Sequence, residues 1–250
     1  MPRYFLEVAY KGTRYSGFQI QENVATIQAE VERALKVLSR QEIELTGSSR
    51  TDAGVHALQN YFHFDSDREW TPRQLYSLNA IIEPDVVIKR ITPVPDDAHS
   101  RFHATAREYN YHIYSKKDPF RDDRAYFFPY TLDTALLNQA AAILMEYRDF
   151  TSFSKRNTQV KTFLCSIEIS QWHFNEDGTL YYHVKANRFL RGMVRGLVAT
   201  MLKVGRGALS LDDFRKVIEA KDCSKADFSA PGHGLFLVAV HYPEGLLNNE

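Results

Sequence analysis

The densest group of side chains suited to chemistry is the run Ser48-Ser49-Arg50-Thr51-Asp52-Ala53-Gly54-Val55-His56-Ala57. It lies between two predicted strands, so it reads as a loop on a rigid support, the kind of place where function often resides. One reading is a polar turn in which Asp52 bonds its own backbone. The other is a carboxylate held at a strand end with Arg50 close by. A neighbouring cation keeps a carboxylate ionised, as a nucleophile or base requires. Gly54 can supply a positive φ for a tight turn.

Two further segments carry groups that suit nucleic acid. In Ala106-Arg107-Glu108-Tyr109-Asn110-Tyr111-His112-Ile113-Tyr114, residues Tyr109, Tyr111 and Ile113 share one face of a predicted strand. That face is either core or a platform for an unstacked base. In residues 187–204, Arg188, Arg191 and Arg195 are spaced three and four apart, which places them on one face of a predicted helix. The stretch from Gly178 to Leu211 contains no Asp or Glu. A solvated stripe normally mixes both signs, so the bias favours phosphate contacts. Gly192 and Gly196 would let another backbone approach this helix closely.

Other constellations can be set aside. His99 and His103 are four apart without a nearby third ligand, which argues against a metal site. Asp52-Ala53-Gly54 is similar to an aspartic-protease triplet, but no second one exists to complete a dyad. Phosphate-binding glycine loops and the Gly-x-Ser-x-Gly elbow are missing, and nothing in the sequence calls for a nucleotide, flavin or metal cofactor. The 31 basic and 31 acidic residues cancel, which excludes a uniformly basic coat but not a local basic surface. With 250 residues, 44% hydrophobic, the chain is long enough for a real core. Its longest apolar runs, 140–145 and 235–240, are far short of the roughly twenty residues of a membrane span. Two cysteines and a start without signal-peptide features make the cytoplasm the expected location.

The elements that must position these residues follow from periodicity. Strands are predicted at 4–10, 43–46, 59–65, 86–91, 108–114, 163–172, Leu180–Ala186 and Leu235–His241, with a loop over 92–97. Helices are predicted at 26–40, 71–82, 132–147, 187–204 and 211–220, with Pro72 in a first turn and Ser210 to Asp213 as a capping box. Each half repeats roughly strand, helix, strands, helix, strand. The expected fold is α+β, with two related α/β halves and mainly antiparallel sheets: an N-terminal domain over 1–105 carrying the Asp52 loop, and a C-terminal domain over 106–250 carrying the aromatic strand and the basic helix.

Taken together the segments resemble the tRNA pseudouridine synthase A family. The matching residues run in order: Tyr10-Lys11-Gly12-Thr13-Arg14-Tyr15-Ser16-Gly17-Phe18-Gln19, Thr26-Ile27-Gln28, Arg50 to Ala57, Val94-Pro95-Asp96-Asp97, Arg101 to Arg107, Tyr109 and Tyr111. Asp149-Phe150-Thr151-Ser152-Phe153, Ala186-Asn187-Arg188-Phe189, Met193-Val194-Arg195 and Gly234 to Val240 complete the series. The resemblance implies an isomerase that converts uridine to pseudouridine at positions 38, 39 and 40 of the tRNA anticodon stem-loop, without a cofactor. It implies an active-site cleft between the halves and a homodimer holding tRNA. By position, Asp52 matches the essential aspartate, Tyr109 the base-contacting tyrosine, Arg195 the arginine that pairs with that aspartate, and Arg50 the arginine beside the flipped base. Tyr111, Arg188 and Arg191 are further candidates for substrate binding. Such an aspartate could attack the sugar or the base, or remove the 2′ hydrogen to give a glycal. The chain departs from the family at Lys11, Phe18, Ile20 and Ser49, none a catalytic position. The alternative is a non-catalytic RNA-binding module, which would keep the arginines and tyrosines but would not need Asp52. A glycoside hydrolase, which commonly needs a second carboxylate, finds no convincing partner for Asp52.

Overall fold

A computed structural model describes residues 1–156 and 160–247. The fold is α+β with a mixed, mainly antiparallel sheet, and the chain divides into two compact units: Met1–Thr105 with Leu237–Glu250, and Ala106–Phe236.

In the first unit, β1 (Arg3–Tyr10) lies between β3 (His56–Asp65) and β4 (Val86–Val94), antiparallel to both, and the short β2 (Thr46–Gly47) pairs with β3. Of the predicted strand 43–46 only Thr46 is extended in the ladder. Ile43 and Leu45 are buried without strand pairing. β4 runs on through Pro93, where a loop is expected from the sequence. Pro93 is tolerated because β4 is the edge strand, where a missing N–H breaks no inner ladder. The helix α1 (Ile27–Ser39) buries Ile27, Val31, Ala34 and Leu35, the stripe predicted from its spacing. Thr26 caps its start by accepting from Ala29 N–H, and Arg40 closes it in the left-handed region. The helix α2 (Pro72–Ile81) begins with the Thr71/Gln74 capping box and Pro72 at its first position.

In the second unit, β8 (Leu180–Ala186) lies between β5 (Ala106–Tyr114) and β7 (Ile167–Phe174), antiparallel to both, and β6 (Tyr126–Phe127) adds to β5 in parallel. Gly178, at φ +79°, makes the β7–β8 turn. The inward side chains include Tyr111, Ile113, Trp172, Tyr182 and Val184. Three helices complete this unit: α3 (Thr134–Leu144), α4 (Met193–Gly205) and α5 (Leu211–Glu219), the last capped by Ser210. α3 and α4 cross closely at Gly205, where a Cβ would stand 2.8 Å from Leu137.

One predicted helix is also corrected. The helix expected at 187–204 starts only at Met193, because Gly192 sits at φ +74° and breaks the helical path. Arg188 and Arg191 therefore precede α4 and share no helical face with Arg195. Gly196 does admit a close approach, but by the rings of Phe228 and Phe153 rather than by a backbone.

Candidate active site

In the first unit the Asp52 loop is braced from below by the ends of β1 and β3. Asn60 is fully buried and acts as the hub: its amide donates to the Ser49 carbonyl at 2.8 Å and to the Tyr10 hydroxyl at 3.2 Å. The Tyr10 hydroxyl in turn bonds the Thr51 hydroxyl at 2.8 Å. Ser48 N–H donates to the Tyr61 carbonyl, and Phe18 N–H to the Thr51 carbonyl at 3.1 Å. The turn itself closes through Val55 N–H to the Asp52 carbonyl at 3.2 Å, with Gly54 at φ +76°. The loop is thus fixed on both sides of Asp52.

The glycines of the 10–19 segment have a defined task in this brace. A Cβ on Gly12 would stand 2.0 Å from the Val55 carbonyl oxygen, so only glycine lets this segment lie against the loop. Gly12 N–H donates to His56 Nδ1 at 3.1 Å. Gly17, at φ +112°, passes close to the Thr51 carbonyl. β3 carries one extra residue relative to β1 between the pairs Val8↔Asn60 and Tyr10↔Ala57. Such a bulge next to a functional loop re-aims the strand end. Asp52 is half-buried and Arg50, two residues before it, is exposed.

In the second unit, Tyr109 on β5 packs edge-on against Phe189, with ring centroids 5.0 Å apart at 84°. Arg195 lies in the first turn of α4, and its Nε–H donates to the Ala230 carbonyl at 2.6 Å. That bond fixes the guanidinium plane. Tyr111 is fully buried, its hydroxyl donating to the Pro231 carbonyl at 2.8 Å and its ring lying over Gly234, where a Cβ would clash at 2.8 Å. Burial pushes the Tyr111 hydroxyl well above the ordinary phenol range. Tyr111 is therefore part of the core that supports Tyr109, not a surface for a base. Of the two readings of this aromatic face, core holds at Tyr111.

The residues that sequence reasoning passed over are Asn60 and the pair Ala230 and Pro231. The signal available for Asn60 was a polar residue in the apolar alternation of β3. For the pair, nothing in spacing marks two backbone carbonyls as acceptors. His99 and His103 are engaged locally: His103 Nδ1 accepts from His99 N–H, and His99 Nδ1 from Arg101 N–H. No cluster of three or more potential metal ligands occurs among the described residues, and no helix among them is long and apolar enough to cross a membrane.

Comparison with known proteins bears on what this geometry serves. A family model described as tRNA pseudouridine synthase matches residues 7–103 and 140–243. The chain belongs to the tRNA pseudouridine synthase family. It is 45% identical over 249 residues to tRNA pseudouridine synthase A of Parabacteroides distasonis, covering 98% of each chain. It is 46% identical over 253 residues to the protein of that name from Bacteroides thetaiotaomicron, covering 100% of this chain and 94% of the relative. With the Staphylococcus aureus protein, strain Newman, identity is 35% over 248 residues, covering 98% and 92%. The isomerase class expected from the sequence stands on this membership. In the tRNA pseudouridine synthase match, Arg50 and Asp52 fall in the first matched segment, Arg188, Arg191 and Arg195 in the second, and Tyr109 and Tyr111 between them.

Proposed function

We propose that this chain isomerises uridine to pseudouridine at positions 38, 39 and 40 of the tRNA anticodon stem-loop, with Asp52 as the essential carboxylate. The observation that carries the reading is family membership spanning the Asp52 loop, together with a loop held from both sides so that one carboxylate is presented from a fixed backbone. The reaction breaks the N1–C1′ glycosidic bond, turns the uracil, and joins C5 to C1′. The C5 hydrogen leaves as a proton and N1 gains one, so nothing is oxidised and no external group enters.

Asp52 provides the negative charge that acts on the ribose or the base. Arg195 and Arg50 are the cationic partners this reading gives to Asp52. Tyr109 contacts the uracil and helps at C5. The target base must leave its stack, at a cost of a few kcal/mol. Contacts from Arg188 and Arg191 to the tRNA backbone offset this, now from the segment before α4 rather than from a helical face. The same reading includes the cleft between related halves, a homodimer that holds tRNA, and a cytoplasmic location. It takes no cofactor.

Tritium release tests the reading. With tRNA labelled at uridine C5, the protein should release one tritium per pseudouridine formed, and mapping should place the products at 38–40. Binding without release would make it an RNA-binding module, and free uracil would make it a hydrolase.

A further inference from the structure

We propose that Lys155 is a phosphate ligand for tRNA and that, with Arg191 and Arg188, it forms a basic contact patch on the second unit; this rests on the tRNA-modifying reading above. Lys155 follows the 3-10 turn Thr151–Phe153, whose Ser152 and Phe153 are buried and anchor it. Its N–H donates to the Arg191 carbonyl at 3.0 Å. Its side chain lies across Gly192: Cγ, Cε and Cδ stand 3.0, 3.1 and 3.3 Å from where a Cβ on that glycine would be. The positive φ of Gly192 and its missing side chain thus make a bed for the Lys155 stem. The ammonium is delivered beside Arg191 at the entrance of α4, whose first turn contains no acid.

Many cations of this unit are already neutralised by a carboxylate. Arg121, Lys185, Lys203, Arg215 and Lys221 each hold a carboxylate within 3.0 Å. Among the described residues, no carboxylate pairs with Lys155, Arg188 or Arg191. A cation that holds no carboxylate is open to an incoming anion. The phosphates of an RNA backbone are the anions this enzyme class meets. A lysine meets a phosphate as a compact point charge, which suits a sequence-independent backbone contact.

The experiment compares Lys155→Met, which keeps a stem over Gly192 without the charge, Lys155→Arg, which keeps the charge, and Lys216→Met, which removes a lysine already paired with Asp213. Equilibrium binding of tRNA is measured across a range of salt. Lys155→Met should weaken binding several-fold, lower the slope of log affinity against log salt by about 1, and show its loss in KM rather than kcat. Lys155→Arg should restore both binding and slope, and Lys216→Met should match wild type. If Lys155→Met keeps the wild-type slope while wild type still modifies tRNA, the lysine assignment fails and the pseudouridine reading stands. Equal losses in Lys155→Met and Lys155→Arg, or in Lys155→Met and Lys216→Met, also overturn it. If wild type neither binds nor modifies tRNA, both fail.

Discussion

A backbone carbonyl two ångströms from an absent methyl is as strict a demand as a sequence can carry. Gly12 and Val55 show it: the segment after β1 lies so close to the Asp52 loop that any side chain at Gly12 would enter the Val55 carbonyl. Gly12→Ala should therefore cost about 3 kcal/mol, the upper end for overpacking, because a carbonyl in a closed turn cannot swing aside as a side-chain tip can. Denaturant unfolding reads the stability, and pseudouridine formation should fall with it. Full stability and activity in that variant would mean that the segment does not brace the loop. At the same scale Arg195 illustrates what a residue type hides. Its charge was legible in the sequence, but the Ala230 carbonyl that orients it was not, because an acceptor on the backbone leaves no trace in residue type.

At the scale of elements, α1 is the clearest test of local coding. Thr26 caps it, the four buried residues follow a 3.6-residue period, and Arg40 ends it. Thr26→Ala should lower stability by about 1 kcal/mol, read as a shift in denaturant midpoint, and no shift would show that the cap is satisfied otherwise. Most elements were legible in this way, since buried faces impose a period. The exceptions each have a physical cause. The helix expected from residue 187 begins at Met193 because Gly192 takes a left-handed conformation, with the Lys155 side chain lying against it, which the apolar spacing of Phe189 and Met193 does not reveal. β4 continues through Pro93 because it lies at an edge, and edge position is not written in the local sequence. Tyr109 and Tyr111 look equivalent in a strand pattern. Both are buried, and only the fold shows that Tyr111 lies over Gly234 while Tyr109 packs edge-on against Phe189.

For the molecule as a whole, acidity should act through buried and half-buried histidines. His63 lies on β3 against Phe5 and His99, with its Nδ1 at 2.9 Å from the Ser100 hydroxyl. Burial, with the positive charges of His99 and Arg3 adding to it against the opposing charge of Asp65, pushes its imidazole down to about 4. Above its unfolded value of about 6.5 both states hold it neutral, and it does not affect the balance. As pH falls from there, the unfolded chain takes up a proton that the folded chain refuses, so stability declines until about pH 4. At pH 5 the loss from this residue should be about 2 kcal/mol. Burial also pushes His99, His173 and His233 down, so the slopes have the same sign. Denaturant unfolding at pH 7 and pH 5 should show the decline in wild type and a smaller one in His63→Gln. Equal declines would remove His63 from the account.

The central claim is that one carboxylate, on a loop clamped from both sides, performs the isomerisation. Asp52→Asn preserves shape and hydrogen-bonding capacity while removing the charge, and the loop bonds in place around it involve the neighbours Ser49, Thr51 and Val55 and the Asp52 backbone. The decisive measurement is pseudouridine formed on tRNA by purified Asp52→Asn, with tRNA binding and unfolding measured on the same sample. The account predicts wild-type folding, retained binding and no detectable pseudouridine. Turnover at the wild-type rate by that variant would contradict it.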